Sequence, residues 1–347
     1  MKIPRLFVPS LILAATLLGC GAPLAQEKTP AAPTVSTTTL SLKAREGDAK
    51  ALAELRGRAE KGEAFAQFYL GWMYATGRGV TKDEVEAVKW YRKAADQGEA
   101  SAQFNLGEMY RTGQGVAKDE VEAVKWYRKA ADQGDANGQH NLGNMYATGR
   151  GVAKDEVEAL KWYRKAADQG NATTQSNLGE MYANGDGVAK DEVEAVKWFR
   201  KAADQGDASA QHNLGLMYEY GRGVAKDEVE AVKWYRKAAD QGFADAQLNL
   251  GMMYTNGLGV AKDEVEAVKW FRKAADQGEA FAQNNLGNMY ANGRGVAKDE
   301  VEAYKWSLLS GAQGNELARK RIPLIEGNLT PSQRAEGQKL AREFKKK

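Results

Sequence analysis

The sequence predicts an all-α fold, an α/α solenoid built from seven helical hairpins of 36 residues each. Three observations support it. Aligning the chain with itself at an offset of 36 residues superimposes seven tryptophans, no proline occurs from residue 34 to residue 322, and apolar residues recur at the three- and four-residue spacing of amphipathic helices. A solenoid grows by adding units, so 347 residues require no domain boundary. The superimposed residues are Trp90, Trp126, Trp162, Trp198, Trp234, Trp270 and Trp306.

The first 25 residues have the character of an export signal. Lys2 and Arg5 give a short basic start, and the apolar stretch 6–18 is too short to span a bilayer. Two processing sites remain open: lipoprotein processing at Cys20, within a sequence that resembles the bacterial lipobox, and plain cleavage after Ala25. We favour lipidation of Cys20, which would place an exported protein in the periplasm and anchor it to the outer membrane.

Segments with different compositions flank the repeats. Pro, Ser and Thr residues before residue 42 cannot bury a core and predict a flexible tether. Apolar residues at helical spacing then predict a degenerate second helix as an amino-terminal cap, and two further helices, the last beginning at Thr330-Pro331, close the other end. The predicted order is a signal peptide (1–20), a tether (21–41), a helical cap (42–62), seven repeats (63–314) and carboxy-terminal capping helices (315–347).

Charge and cysteine content narrow the possible functions. The chain carries 49 basic and 46 acidic residues, a formal charge of +3, which gives no electrostatic reason to expect nucleic acid. Cys20 is the only cysteine and there are two histidines, so we predict no disulfide, no metal site and no cofactor. We found no spacing that combines a nucleophile, a base and an orienting acid, and we therefore expect a monomer that is not an enzyme.

The repeat that spans residues 99–134 shows how each hairpin is built. Gly113 and Gly115 mark the break between its two helices, and Asp119 with Glu122 forms a capping-box pattern at the start of the second. Gly107 lies inside the first helix in every repeat, which predicts close approach of the second helix. The packing face of the first helix is Ala100, Gln103, Leu106, Gly107 and Tyr110; that of the second is Val121, Val124, Tyr127, Ala130 and Ala131.

The 36-residue period, the L-G-x-M-Y stretch, the G-x-G-V loop and the K-W-Y/F-R-K-A-A segment together resemble the Sel-one-like repeat family, a relative of the tetratricopeptide repeats. The resemblance covers residues 63–314 and departs only after Trp306. It implies a right-handed superhelix that scaffolds protein complexes or binds peptides. Some bacterial relatives are described as β-lactamases with a disulfide in every repeat, but this chain has neither those cysteines nor a Ser-x-x-Lys motif.

Differences among the repeats indicate where a partner binds. From residue 80 to residue 278 the second helix is copied with four changes, whereas the first helix varies at its third, sixth, tenth and thirteenth positions, which share one helix face. We call this variable row the ladder and predict that it lines a concave groove. Its candidate binding residues, together with Tyr220, are Phe65, Phe68, Trp72, Phe104, Glu108, Arg111, His140, Asn144, Ser176, Glu180, His212, Leu216, Glu219, Leu248, Met252, Asn284 and Asn288.

The mixed character of the ladder favours a protein or peptide partner over nucleic acid or an acidic polymer. Two alternatives stay open from the sequence: a binder of cell-envelope polysaccharide or peptidoglycan, which Trp72 and Tyr220 could serve by stacking on sugar rings, and a disfavoured β-lactamase-like hydrolase. His140 and His212 occupy equivalent positions two repeats apart, so we expect them to be hydrogen-bonded residues rather than a metal pair. Contact with a membrane is expected only through a lipid on Cys20.

Overall fold

The computed structural model describes residues 35–346, which form eighteen α-helices and no strands. The prediction of an all-α solenoid of seven hairpins is confirmed. The signal peptide, Cys20 and most of the predicted tether lie outside the described residues. The first helices of the seven repeats are α3 (Ala64–Thr76), α5 (Ala100–Thr112), α7 (Ala136–Thr148), α9 (Ala172–Asn184), α11 (Ala208–Tyr220), α13 (Ala244–Asn256) and α15 (Ala280–Asn292). The second helices are α4 (Glu84–Asp96), α6 (Glu120–Asp132), α8 (Glu156–Asp168), α10 (Glu192–Asp204), α12 (Glu228–Asp240), α14 (Glu264–Asp276) and α16 (Glu300–Ala312).

Local capping sets the helix ends in each repeat. The carboxylate of Asp119 accepts a hydrogen bond from the backbone N–H of Glu122, and Gly113 closes the preceding helix in the left-handed region at φ 76°. The predicted capping box is only half formed, because the side chain of Glu122 pairs with Lys125 at 2.8 Å instead of returning to the cap. An aspartate cap at the start of each second helix and a left-handed glycine at the end of each first helix recur in all seven repeats, and every repeat helix is 13 residues long.

The close approach predicted at Gly107 is confirmed, and the group that approaches is an aromatic ring. A Cβ on Gly107 would lie 2.7 Å from the ring of Tyr127, and a Cβ on Gly143 would lie 2.6 Å from that of Tyr163. Removing the side chain from the first helix therefore makes room for the tyrosine of the second, which is buried in repeat two. The ring thus packs between the two helices of the hairpin and holds them in close contact.

Buried glutamines connect one hairpin to the next. Gln103 donates from Nε2 to the carbonyl of Ala95 at 3.1 Å and accepts from Gln133 Nε2 at 2.7 Å. The same pair of bonds recurs along the array, so each buried carboxamide has partners in the preceding and the same repeat. These bonds fix the register between repeats as well as filling the core.

One residue of the predicted packing face is placed differently. Val121 was expected to be buried but is 54% exposed. It lies in the first turn of α6, where Gly151 of the next loop approaches its backbone nitrogen but leaves the side chain in solvent. The prediction was wrong because helical periodicity does not show where the neighbouring helix stops covering a face.

The amino-terminal cap contains one helix more than predicted. The cap consists of α1 (Thr37–Arg45) and α2 (Ala49–Glu60), so α1 begins inside the segment assigned to the tether. Ser36 caps α1 by accepting from the backbone N–H of Thr39, and Leu40 becomes buried. The Ser/Thr-rich segment was predicted to be flexible, but serine is also a preferred residue at the start of a helix, and Ser36 has that role here.

The carboxy-terminal cap closes the array with α17 (Glu316–Asn328) and α18 (Pro331–Arg342). The predicted start of the last helix is confirmed, since Thr330 and Gln333 form a complete capping box there. Tyr304 stands where the earlier repeats have valine or leucine and packs against Gly337 of α18. Phe344 packs against Trp306, with 5.5 Å between the ring centroids. Within residues 35–346, no helix combines the length and apolar character needed to cross a bilayer.

Candidate partner-binding surface

The ladder residues lie at different depths on the protein surface. Third-position residues such as Phe65 and Phe281 are 56% and 61% exposed, whereas sixth-position residues lie lower, over the aromatic ring of the second helix. The rings of Phe104 and Tyr127 have centroids 6.1 Å apart, and those of His140 and Tyr163 5.9 Å apart. The sixth position therefore forms the floor of the surface and the third position its rim.

Two ladder predictions are wrong for this reason. Ser176 and Asn284 are 3% and 5% exposed, so neither can contact a partner. The serine side chain is too short to rise above its neighbours. Over Asn284, the guanidinium of Arg321 from α17 donates to the backbone carbonyl at 2.9 Å.

The second helix also contributes polar atoms to the ladder. Tyr163 donates its hydroxyl to Asn144 Oδ1 at 2.5 Å, and Tyr235 donates to Glu219 Oε2 at 2.5 Å. Burial raises the pKa of Tyr163 to about 12, so the hydroxyl stays a donor. In repeat six the equivalent residue is Phe271 and the tenth-position residue is Met252, which has no oxygen to accept such a bond. The two changes do not always occur together, since repeat four has Phe199 beside Glu180, which could accept such a bond.

An asparagine that our sequence analysis did not select bridges neighbouring repeats on this surface. Asn141 donates from Nδ2 to Glu108 Oε1 at 2.6 Å, and Asn213 donates to Glu180 Oε1 at 3.1 Å, in both cases to the tenth position of the preceding repeat. The signal was present in the sequence, because the seventh position is asparagine in six repeats although it follows the variable sixth position. These residues are Asn105, Asn141, Asn177, Asn213, Asn249 and Asn285.

Three cavities open on the ladder, each between the first helices of adjacent repeats. The cavity between repeats two and three, which includes Phe104 and Asn144, has a volume of about 500 Å³. The cavity between repeats three and four, which includes Tyr163 and Glu180, measures about 370 Å³, and that between repeats six and seven about 200 Å³. Ladder residues line all three, so the variable row coincides with the depressions of the surface.

A second variable position, in the loop after the first helix, reaches the same cavities and was also missed. The sixteenth residue of the repeat is Arg150 in the first cavity, Asp186 in the second and Arg294 in the third. Arg150 and Arg294 pair with Glu120 and Glu264 of the preceding repeat at 2.5 and 2.7 Å. This loop residue varies between basic, acidic, polar and apolar types, a signal that lies outside the helices compared above.

The two histidines act as separate polar residues of the ladder. His140 bonds through Nδ1 to Thr174 Oγ1 at 2.7 Å and through Nε2 to Asn144 Nδ2 at 2.9 Å, and His212 bonds through Nε2 to Asn249 at 3.0 Å. Desolvation lowers the pKa of both imidazoles. Across the part of the chain that the structure describes, no group of His, Cys, Asp or Glu side chains could hold a metal ion.

Trp72 is less available for stacking on a sugar than the sequence suggested. The guanidinium carbon of Arg45 lies 4.3 Å from the centroid of its ring and that of Arg78 lies 5.6 Å away. Both arginines already make cation–π contacts with this indole. The feature that motivated the polysaccharide alternative is therefore weakened at this position.

Stacked hairpins that present one variable surface define a helical-repeat solenoid, a class whose extended surfaces bind other macromolecules. The Sel1 repeat model matches seven consecutive segments, residues 64–99, 100–135, 136–171, 172–207, 208–243, 244–279 and 280–315, in register with the seven hairpins to within one residue. The chain belongs to the Sel1 repeat family. Proteins of this family generally act as non-enzymatic scaffolds for protein interactions.

Two solved structures illustrate the similarity. A Sel1 repeat protein from Oxalobacter formigenes is 35% identical over 83% of this chain and 86% of that chain, with a TM-score of 0.68. The protein c5321, described as a protective antigen present in uropathogenic Escherichia coli strains and displaying an SLR fold, is 30% identical over 89% of this chain and 94% of that chain, with a TM-score of 0.51. No curated protein matches the chain.

Proposed function

We propose that this protein is a non-enzymatic scaffold that holds a protein or peptide partner in a concave groove lined by the ladder. The observation that carries the proposal is the coincidence of sequence variation with shape. The positions that differ between repeats line all three cavities between neighbouring first helices. A surface that evolves for recognition is expected to vary at its pockets and to stay constant where it only supports them.

The exposed positions of the second helix do not vary among the first six repeats. Exposed lysines of the second helix pair with glutamates of their own helix, as Lys125 does with Glu122 at 2.8 Å and Lys233 with Glu230 at 2.9 Å. The same pair recurs in other repeats, so this ion pairing is uniform along the array. The ladder instead combines aromatic, amide and charged groups, the mixture found at protein interfaces.

Introduction of negative charge on the ladder tests this function. We expect Phe104→Glu with Leu248→Glu to abolish capture of partner proteins after in-cell crosslinking, because both residues are half-buried apolar groups on the candidate surface. Val121→Glu with Val265→Glu is the matched control, since these valines are 54% and 55% exposed on the second helices. Circular dichroism verifies that both variants remain helical. Capture that survives in the ladder variant, or that is lost equally in the control, contradicts the proposed surface.

We further propose that the scaffold is exported and anchored to the outer membrane through a lipid on Cys20. The support is the lipobox-like sequence before Cys20 and the glycine after it, which resembles the sorting pattern of outer-membrane lipoproteins. Replacing Cys20 with serine should abolish incorporation of labelled fatty acid and release the protein into the soluble periplasmic fraction. Unchanged labelling, or a chain that never leaves the cytoplasm, contradicts this localisation.

A further inference from the structure

Neighbouring cavities on the ladder carry opposite charge. The cavity between repeats two and three is lined by one acidic residue and two basic residues, Glu108, Arg111 and Arg150. The cavity between repeats three and four is lined by three acidic residues and one lysine. The charge therefore changes sign over the distance of one repeat, on a surface whose overall charge is mixed.

The basic cavity has hydrogen-bond donors to spare. Arg111 donates from Nε and Nη2 to Glu108, and Arg150 donates from the same two nitrogens to Glu120. Neither ion pair uses the Nη1 of its guanidinium. Two guanidinium groups with free N–H donors in one cavity suit a carboxylate, which arginine binds with two parallel hydrogen bonds. The ring of Phe104 lines the same cavity and offers an apolar contact.

The acidic cavity has acceptors to spare. Glu180 accepts only from Asn213 at 3.1 Å, and Asp186 accepts from Asn184 at 3.3 Å. Lys154, the lysine that lines this cavity, forms its ion pair with Glu156 at 2.7 Å and not with Glu180 or Asp186. Desolvation raises the pKa of the Glu180 carboxyl, which a bound cation would relieve.

From these observations, and resting on the proposed function, we infer that the two cavities together bind one extended polypeptide segment that carries an acidic side chain and a basic side chain. The acidic side chain enters the cavity with Arg111 and Arg150, and the basic side chain enters the cavity with Glu180 and Asp186. Adjacent packed helices are about 10 Å apart, and an extended chain advances about 3.3 Å per residue. The two charged residues of the partner are therefore about three positions apart.

A random decamer library displayed on phage and selected on the immobilised full chain tests this inference. We expect the selected peptides to be enriched in sequences with an acidic and a basic residue two to four positions apart. Synthetic copies of these peptides should lose about tenfold in affinity, measured by fluorescence anisotropy, when either charge is replaced by alanine.

Two variants of the protein test which cavity binds which charge. The double variant Glu180→Asn with Asp186→Arg gives the acidic cavity the residues found at the same positions of repeat seven, Asn288 and Arg294. Peptides should then no longer need their basic residue for binding but should still need their acidic residue. Arg150→Asp should remove the requirement for the acidic residue. Arg222→Asp is the control, because it changes the same position of repeat five, which lines none of the three cavities, and it should leave both requirements unchanged.

The outcomes separate this inference from the function on which it rests. Peptides that bind the ladder, as judged by loss of binding to Phe104→Glu with Leu248→Glu, but lack the charge pair overturn the inference and leave the scaffold function standing. A library that yields no ladder-dependent peptide overturns the inference and the peptide-binding form of the proposed function together.

Discussion

At the residue scale, a glycine of the first helix contacts an aromatic ring of the second helix in six of the seven hairpins, and Ser307 takes the place of the ring in the seventh. The ring of Tyr163 occupies the space above Gly143, and its hydroxyl is held by Asn144. Because the ring is fixed at both ends, it cannot move aside for an added methyl group. The position of this glycine was predictable from its recurrence in every repeat, whereas the identity of the group above it required the structure.

We expect Gly143→Ala to lower the free energy of unfolding by about 1–3 kcal/mol, the usual effect of overpacking a core. Gly57 is a helical glycine in α2 with no atom within 4 Å of an added Cβ, so Gly57→Ala should stabilise the protein by about 0.5–1 kcal/mol. Urea unfolding followed by circular dichroism measures both changes. Equal effects of the two substitutions would show that the ring does not restrict this position.

The two histidines predict a pH dependence of stability. Desolvation lowers the pKa of His140 and His212 in the folded state, so between the folded and unfolded pKa values the unfolded chain binds more protons. Stability is therefore fully present above the ordinary histidine pKa of about 6.5 and falls as the pH decreases below it. Between pH 7.5 and pH 5.5 the melting temperature of the native chain should fall, and that of the double variant His140→Phe with His212→Phe should fall less. Phenylalanine is chosen because repeat two has it at the same position, as Phe104. Parallel curves would exclude the histidines as the cause.

At the element scale, α1 closes the amino-terminal end of the array. Leu40 and Ala44 are 3% and 1% exposed, and the carbonyl of Ala44 lies against Gly79 in the loop of repeat one. The sequence showed that a cap was needed but not that it had two helices, because nine residues of weak amphipathicity follow a stretch rich in proline. The ladder positions were easier to locate, yet their depth could not be read from periodicity, as the buried Ser176 and Asn284 show.

Deletion of α1 should loosen the adjacent elements first. A chain that begins at residue 47 exposes the apolar face of α2, including Leu55, and we expect trypsin to cleave at Arg56 and Arg58 well before it cleaves the central repeats. A chain that begins at residue 35 keeps α1 and serves as the control, with cleavage like that of the full chain. If both truncated chains are equally resistant, α1 is not a cap.

At the scale of the whole molecule, the free energy of unfolding is approximately the sum of the contributions of the individual repeats and of the interfaces between them. Removal of one complete period, residues 171–206, joins equivalent positions and restores the same interface. The shortened chain should remain helical and monomeric, with a lower midpoint of urea unfolding. Removal of residues 171–188 should instead yield a chain that aggregates, because it leaves two second helices in succession. Circular dichroism and gel filtration distinguish these results, and a folded half-period deletion would contradict the modular account.

The architecture was predictable to this extent because every level of the sequence agrees with it. Period, caps and glycines all indicate the same hairpin, and the copied second helix leaves little ambiguity about packing. The binding surface was predicted less completely. The bridging asparagines and the variable loop residue are polar groups whose importance depends on the neighbouring repeat, which a comparison of aligned positions does not place in space.

The most direct test of the central claim compares the native chain with one in which the ladder of every repeat is replaced by that of repeat three, namely Asn137, His140, Asn144 and Ala147. In-cell crosslinking and affinity purification then identify the captured proteins by mass spectrometry. A control chain keeps the ladder and has threonine in place of the exposed valines Val85, Val121, Val157, Val193, Val229 and Val265. We predict that the native and control chains capture the same partner and that the reset chain loses it; capture of the same proteins by all three chains would contradict recognition through the ladder.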